Sequence, residues 1–153
     1  MRHLHRWPRH MFALHAALLS AGLLLIAPSL TAQAQEAYKG HLSPVPVDAT
    51  LLPNTTGHGD ASAVLAGAKL TVSGTFEGMR GPATTAQLRR GAYIGVRGPV
   101  LFELTVSKAV SGAISGSFDL TPEQVQSLRQ GKLYVQIQSE RAPEGNLWGW
   151  LAK

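Results

Sequence analysis

Strict alternation of apolar and polar residues is the feature of this sequence that most constrains its fold. Residues 69–77, KLTVSGTFE, place Val72 and Phe76 with two other small or apolar residues on one face, and lysine, threonine, serine and glutamate on the other. A period of two over nine residues is typical of a β-strand with one buried face. The same alternation recurs at residues 100–106 and 114–120, with glycine-rich turns between the runs. Three such runs predict an antiparallel β-sandwich in which each sheet keeps one face in water.

The segment that follows predicts one short helix. Thr121 can cap the first turn, Pro122 suits the first helical position, and Gln124 stands where a capping box requires it. Gly131 can adopt the positive φ that ends a helix. We therefore expect a crossover helix near residues 122–130, too short to be stable without packing on the sheets.

Two more alternating segments follow the helix. Residues 132–139 and 146–151 each put branched apolar residues or leucine on one face. Because a slip of one residue would bury glutamines, we expect the apolar faces of both strands to point into the core. A further strand is expected at residues 84–90, followed by a loop at residues 91–98. The outward face of these three strands then collects polar and aromatic side chains: Gln87, Arg89, Tyr134, Gln136, Gln138, Trp148 and Trp150.

Residues 1–34 are predicted to be a signal peptide. Three arginines and no acid in the first ten residues precede an apolar run at residues 11–27, and Ala32-Gln33-Ala34 offers the small side chains that signal peptidase accepts. We expect cleavage after Ala34 and a protein that is periplasmic or secreted. The alternative is a retained anchor, but the run of 17 residues contains a histidine and is shorter than the about 20 apolar residues that cross a bilayer. We therefore expect no stable membrane anchor after signal removal.

The remaining chain is long enough for one domain. Removing 34 of the 153 residues leaves 119, and because the chain has no cysteine, burial rather than disulfides must stabilise them. We place the β-sandwich domain at residues 38–152. Residues 35–60 are expected to form an edge strand at residues 38–42 and an exposed loop, since Pro44 and Pro46 lack the N–H that a central strand donates.

Charge argues against a nucleic-acid partner. The whole chain has 14 basic and 9 acidic residues, a net charge of +5. Three arginines leave with the signal peptide, so the processed protein has 11 basic residues against 9 acidic ones and a net charge of +2. This excess is too small to indicate the basic stripe of a nucleic-acid-binding protein.

Four segments in this order resemble one family: GTFEGMRGPATTAQLRRG, RGPVLFEL, LTPEQVQSLRQGKLYVQIQSE and APEGNLWGWL. Over roughly residues 38–151 the chain resembles the CHRD (chordin) domain. The resemblance implies an immunoglobulin-like β-sandwich with Greek-key connections, an exported protein, and no enzymatic activity.

One departure from the family pattern bears on function. Many CHRD domains have Ala-His-Ile-His and Asn-Ile-His-Thr runs, whereas this chain has Gln87, Arg89 and Gln138 at the corresponding positions. The closing glutamate and arginine of the usual Gly-Glu-x-Arg-Gly run are Asn146 and Trp148 here. Metal or proton chemistry that depends on those histidines is therefore not expected in this copy.

The outward face is the first candidate binding site. Aromatic rings beside amides suit carbohydrate or peptide ligands, and tryptophan, tyrosine and arginine are enriched in protein interfaces. The alternative is that Trp148 and Trp150 are covered by the helix or the N-terminal segment and only fill space. We predict a non-catalytic binding or assembly module for a protein or carbohydrate ligand; an accessory subunit of an exported enzyme is the alternative.

A second candidate site is an anion-binding loop. Residues 80–97 contain four arginines and no acidic residue. Besides Arg89, which belongs to the outward face, these are Arg80, Arg90 and Arg97. Such a stretch could hold an anionic polymer or a lipid headgroup. The alternative is a solvated loop whose charge the rest of the chain balances.

A hydrolase or a metal-dependent enzyme is the least supported alternative. His41 and His58 are the histidines outside the signal peptide, and zinc and copper sites ordinarily use three or four ligands, more than His58-Gly59-Asp60 offers. The chain has no cysteine nucleophile, G-x-S-x-G segment, Walker loop or HExxH motif. A triad that uses His58 and Asp60 stays open, but no pattern selects its serine. We expect no enzymatic activity, no metal and no cofactor.

Overall fold

The alternating segments form eight strands. A computed structural model describes residues 34–153, so the predicted signal peptide lies outside the described residues except for Ala34. One helix, α1 (Pro122–Arg129), precedes the seventh strand, and a 3₁₀ turn covers Leu52–Asn54. The strands are β1 Gln35–Pro44, β2 His58–Ala66, β3 Lys69–Glu77, β4 Ala83–Arg90, β5 Val100–Val106, β6 Gly112–Asp119, β7 Leu133–Ser139 and β8 Leu147–Trp150.

These strands close into an antiparallel barrel in the order β1-β2-β3-β6-β5-β4-β7-β8. The ring is completed by β1 and β8, with Ser43 opposite Trp148 and Pro44 opposite Leu147. The predicted all-β class with one short helix is confirmed, but the two stacked sheets of the predicted sandwich are joined into a closed barrel. The physical reason is the length of β1, whose ten residues pair with β2 over most of the strand and with β8 at its end. Alternation identifies the buried side of a strand but not the partners of its two edges.

β1 is therefore not the edge strand predicted at residues 38–42. It has a neighbour on each side. Pro44 is tolerated because it is the last residue of the strand, where a missing N–H removes no central ladder bond. β2 also begins at His58, inside the segment predicted to be a loop.

The connections include a Greek key, as predicted. β4, β5 and β6 follow one another in space, and β7 returns beside β4, which gives the order β7-β4-β5-β6. The chain reaches β7 through α1. We call this end of the barrel the helix end; because neighbouring strands are antiparallel, it also holds the start of β1, the end of β8 and the loop between β4 and β5.

Helix α1 begins and ends as its sequence predicts. Gln124 N donates to Thr121 Oγ1 at 3.2 Å, and Thr121 N donates to Gln124 Oε1 at 3.0 Å, which completes a capping box. Loss of such a cap costs about 1 kcal/mol. Gly131 follows the helix with a φ of 69°. Leu128 is fully buried in the barrel core, which supplies the packing that a helix of eight residues needs.

The core fills the inside of the barrel. Leu70, Leu88 and Ile137 have no exposed surface, as their alternating patterns predict. Burial of one such side chain contributes about 1.5–3 kcal/mol. Val100 departs from its predicted inward position and is 41% exposed. The cause is a register shift in which Leu88 pairs with Phe102 but Arg89 pairs with Val100, so that Val100 shares the outward side of Arg89.

An ionic cluster lies at the helix end of the barrel. Glu36, on the inward side of β1 with Tyr38, accepts hydrogen bonds from Arg129 Nε at 3.0 Å and from the Tyr38 hydroxyl at 2.8 Å, and lies 2.7 Å from Lys153 Nζ. The bond from Arg129, followed by those from Lys153 and Tyr38, lowers the pKa of Glu36 to about 2. Burial and the bond to Glu36 raise the pKa of Tyr38 to about 12. The cluster ties α1 and Lys153 to the first strand.

Candidate functional site

Three adjacent strands bring the predicted outward residues together. β4 pairs with β7, and β7 with β8, so opposite side chains have Cβ atoms about 5 Å apart. Two rows of three cross the strands, Gln87–Gln136–Trp148 and Arg89–Tyr134–Trp150. The predicted register is confirmed. We name the set the outer-face cluster: Gln87, Arg89, Tyr134, Gln136, Gln138, Trp148 and Trp150.

The aromatic part of the cluster is organised around Tyr134. Its ring stacks on Trp150 with centroids 4.4 Å apart and planes at 30°. Trp148 meets Tyr134 edge-on at 5.9 Å and Trp150 edge-on at 5.8 Å. Ring pairs of this geometry contribute about 0.5–1.5 kcal/mol each beyond their burial. The three rings form a block, which we call the aromatic block.

A chain of hydrogen bonds connects the polar part. Gln138 Nε2 donates to Gln87 Oε1 at 2.9 Å, and Gln138 Oε1 accepts from Thr85 Oγ1 at 2.8 Å. Arg89 Nη1 donates to the same Gln87 oxygen at 3.2 Å, while Gln87 Nε2 donates to Glu103 Oε1 at 2.7 Å. Both ends of the two amides are used, so the orientation of each is fixed.

The β4–β5 loop, residues 91–99, covers part of the aromatic block. Gly98 N donates to the Tyr134 hydroxyl at 3.0 Å, and Arg89 Nε donates to Gly98 O at 3.0 Å. Gly91 lies so close to Trp150 that an added Cβ would be 2.5 Å from the ring. The loop is therefore attached to the cluster by hydrogen bonds and by close packing.

This cover buries the centre of the cluster. The exposed fraction is 0% for Tyr134, 1% for Gln136 and 8% for Gln138, and all seven residues of β7 are buried. The expectation that these three side chains lie open on the surface is therefore wrong. The β4–β5 loop bonds to Tyr134, and the turn between β7 and β8 reaches Gln136 through Glu144 O, which accepts from Gln136 Nε2 at 3.1 Å. The remaining members are half-buried and form the rim of the cluster: Gln87, Arg89, Trp148 and Trp150.

Two buried polar atoms of the cluster have no partner within residues 34–153. They are Gln136 Oε1 and Trp150 Nε1, one acceptor and one donor. Leaving such an atom unsatisfied costs about 1–3 kcal/mol. Hydrogen bonds within residues 34–153 therefore do not satisfy all buried polar atoms of the outer-face cluster.

The arginines predicted to form one anion-binding loop do not lie together. Arg80 precedes β4 and Arg90 ends it, so a strand of eight residues, about 26 Å long, separates them. Arg90 Nη1 lies 2.9 Å from Glu123 Oε1, and Arg97 Nη1 donates to Glu144 O at 3.2 Å. The prediction of a single site that contains all three arginines is therefore wrong, although Arg97 lies in the loop that follows Arg90.

The histidines pair with separate carboxylates outside the barrel. His41 Nδ1 lies 3.2 Å from Asp60 Oδ1, and His58 Nε2 lies 2.9 Å from Glu77 Oε1. All four side chains are 61–80% exposed. In the described part of the chain, no three histidines and carboxylates gather in a way that could hold a metal ion. The set His58-Gly59-Asp60 is thus divided between two pairs.

Comparison with protein families decides which family this barrel represents. The model of the CHRD domain matches residues 30–151, which include all eight strands and α1. The chain belongs to the CHRD domain family. The resemblance of its four sequence segments is thereby confirmed. No curated protein and no solved structure matches the chain.

No helix between residues 34 and 153 of this CHRD domain has the length and apolar character needed to cross a membrane. Sequence analysis predicted the loop at residues 91–98 but missed that it covers the site. One signal could have indicated it: Gly91 and Gly98 bracket the loop, and an added Cβ on Gly98 would collide with the Arg90 carbonyl oxygen. Glycines with no room for a side chain mark places where a loop packs against its own strand.

Proposed function

We propose that this CHRD domain is a non-catalytic binding module that acts in the periplasm or as a secreted protein. Its ligand, a protein or a carbohydrate, contacts the rim of the outer-face cluster. The observation that carries the proposal is the aromatic block, in which two half-buried indole rings are held in place by a fully buried tyrosine. Because the rings are already ordered, little side-chain entropy is lost when a ligand stacks on them.

The chemistry of the rim favours binding over catalysis. The guanidinium of Arg89 offers only hydrogen-bond donors and the side chain of Gln87 is a neutral amide, so neither is a general base. The indole faces can stack on a sugar ring or on apolar peptide side chains. Arg89 and Gln87 can add hydrogen bonds beside them. The rim therefore offers contact area and polar recognition without a group that transfers a proton.

The N-terminal sequence supports export. Its arginines, apolar run and Ala-Gln-Ala segment have the order of a secretory signal, and the processed chain would start at Gln35, the first residue of β1. Intact mass of the protein from a periplasmic fraction tests this directly. We expect the mass of residues 35–153; a cytosolic protein that keeps residues 1–34 would contradict it.

The binding role is tested with Trp148→Leu, which keeps an apolar side chain but removes the flat ring. Trp150 is less suitable because it stacks on buried Tyr134. A glycan array and affinity capture from periplasmic extract identify a ligand, whose dissociation constant is then measured by calorimetry. We expect binding at least 10-fold weaker than for the unchanged protein, about 1.4 kcal/mol.

The matched control is Phe102→Leu, because Phe102 is also half-buried and stacks on Phe118, at 4.5 Å, outside the cluster. It should leave the dissociation constant unchanged. Equal loss of affinity in both variants would contradict a contact at the rim. Turnover in a broad hydrolase screen that His58→Ala abolishes would contradict the non-catalytic role.

A further inference from the structure

The tip of the β4–β5 loop displays apolar side chains. Tyr93 is 72% exposed, Ile94 66% and Val96 46%. Val96 N donates to Tyr93 O at 3.1 Å, and Gly95 has a φ of 84°, the geometry of a type II turn. An added Cβ on Gly95 would meet nothing within 4 Å, so the turn projects into open space. Apolar groups that are clustered and exposed mark an interaction surface.

The base of the loop is fixed, so this exposure does not come from a loose loop. Arg90 N donates to Pro99 O at 3.1 Å, and Gly91 N donates to Lys132 O at 2.9 Å. Gly98 is held on Tyr134 by the bond described above. The loop therefore presents its tip in one arrangement, and a partner does not have to order it first.

Charge is divided unequally between the two ends of the barrel. The strand ends and connections of the helix end carry six basic and three acidic residues: Lys69, Arg90, Arg97, Arg129, Lys132 and Lys153 against Glu36, Asp119 and Glu123. Those of the opposite end carry three basic and four acidic residues: Arg80, Lys108 and Arg141 against Asp48, Glu77, Glu140 and Glu144. The apolar tip thus lies at the positive end of a domain whose net charge is small.

A basic side chain also lies next to the tip. Lys132 Nζ is 6.0 Å from the centroid of the Tyr93 ring, whereas the guanidinium of Arg97 is turned towards Glu144 O. A depression of about 310 Å³ at the base of the loop contains Arg90 as its charged lining residue. The ion pair of Arg90 with Glu123 is solvent-exposed, and such pairs are weak enough for another anion to compete.

We propose that the helix end of this CHRD domain docks reversibly on an anionic lipid surface. Tyr93, Ile94 and Val96 enter the interface, and Lys132 contacts the headgroups. A projecting apolar turn at the positive end of the domain complements a soft, negatively charged surface, whereas a protein partner would have to supply a groove of matching shape. Each cation near such a surface adds to the attraction, and salt screens it. The inference does not depend on the proposed ligand, because the tip and the rim of the outer-face cluster are different residues.

Vesicle flotation tests the inference. The processed protein is first checked by intact mass, because the apolar segment at residues 11–27 would bind vesicles by itself. It is then mixed with one of two kinds of vesicle, phosphatidylcholine alone or phosphatidylcholine with roughly 30% phosphatidylglycerol. The anionic lipid gives the second kind a negative surface that attracts basic residues. We expect flotation with the anionic vesicles that is weak with neutral vesicles and is lost in roughly 0.5 M salt.

Two matched variants locate the contact. Ile94→Ser should lower the fraction bound at least 5-fold without changing the melting temperature, because the side chain is largely exposed. Leu52→Ser changes a leucine that is 54% exposed in the connection between β1 and β2, at the opposite end of the barrel, and should bind like the unchanged protein. Lys132→Gln should weaken binding and reduce its salt dependence.

Three results would overturn the inference. One is the absence of flotation with anionic vesicles at low salt. Another is equal loss of binding in Ile94→Ser and Leu52→Ser. The third is a protein that does not bind vesicles but binds a purified partner protein, with that binding abolished by Ile94→Ser. This result would assign the loop tip to a protein interface. Trp148→Leu should leave flotation unchanged, so failure here and failure of the proposed ligand contact are distinguishable.

Discussion

Strands β3 and β7 have the same alternating pattern but different surroundings. In β3 the inward residues Leu70, Val72 and Phe76 are buried, and every outward residue is exposed. In β7 the inward residues are buried as well, yet so are Tyr134, Gln136 and Gln138 on the outward side. Strand β3 thus has buried side chains on one side only, whereas β7 has buried side chains on both sides.

The difference teaches that period and residue type carry separate information. The period of two identifies the inner face of both strands. The outward residues of β3 are lysine, threonine, serine and glutamate, which remain in water, whereas β7 carries tyrosine and glutamines that bond to the β4–β5 loop and to the neighbouring turn. Three changes test whether the outer layer of β7 is a true second core, and a fourth tests an ionic cluster on β1.

The largest effect is expected for Tyr134→Ala. It removes a fully buried ring, two aromatic contacts and the partner of Gly98 N, so the free energy of unfolding should fall by about 3–5 kcal/mol. The equivalent outward change on β3, Ser73→Ala, should cost less than about 0.5 kcal/mol. Urea denaturation measures both. Similar losses in the two variants would mean that the outer layer adds no stability.

Tyr134→Phe isolates the attachment of the loop. It keeps the ring but removes the hydroxyl that accepts from Gly98 N, which should cost about 1 kcal/mol. Hydrogen exchange of the Gly98 amide should become faster, since that N–H loses its partner. Tyr93→Phe, at an exposed position of the same loop, should change neither quantity. Unchanged exchange at Gly98 would show that packing alone holds the loop down.

Gln136→Leu tests how much the missing hydrogen bond of Gln136 Oε1 affects the stability of the outer layer. The change removes an acceptor that has no partner among residues 34–153 and one hydrogen bond to Glu144 O, two effects of opposite sign. We expect the free energy of unfolding to stay within about 1 kcal/mol of the unchanged protein. Thermal melts followed by circular dichroism measure it. A loss as large as that of Tyr134→Ala would indicate that the Gln136 oxygen is bonded to water that the layer requires.

The smallest effect on stability is expected for the ionic cluster on β1. There the inward residue Glu36 is covered by charged side chains rather than by a loop. The pKa of Glu36 is lowered from 4.5 to about 2 by Arg129, Lys153 and Tyr38. A depressed carboxyl pKa adds stability that is present above about pH 4.5 and is lost as the pH falls towards 2. Glu36→Gln should therefore flatten the dependence of the melting temperature on pH between about 4.5 and 2. Parallel curves for the two proteins would contradict the cluster.

The sequence predicted the parts of this fold that depend on neighbouring residues. The bounds of β3, the capping box of Thr121 and the register of the outer-face cluster all follow from local pattern. Closure of the barrel does not, because Ser43 and Trp148 are far apart in the chain and Pro44 argued for an edge. The cover of Tyr134 was missed because the glycines and the proline of residues 91–99 predict a loop but do not indicate what the loop packs against.

Closure of the ring has a consequence for how this domain meets other chains. Every strand between residues 34 and 153 has two neighbours, so none of them presents a whole free edge to β-augmentation or to edge-to-edge aggregation. The contact between β5 and β6 is short, with pairs at Thr105–Ser115 and Val106–Ile114. Over most of the barrel wall, recognition must therefore use side chains rather than added strands.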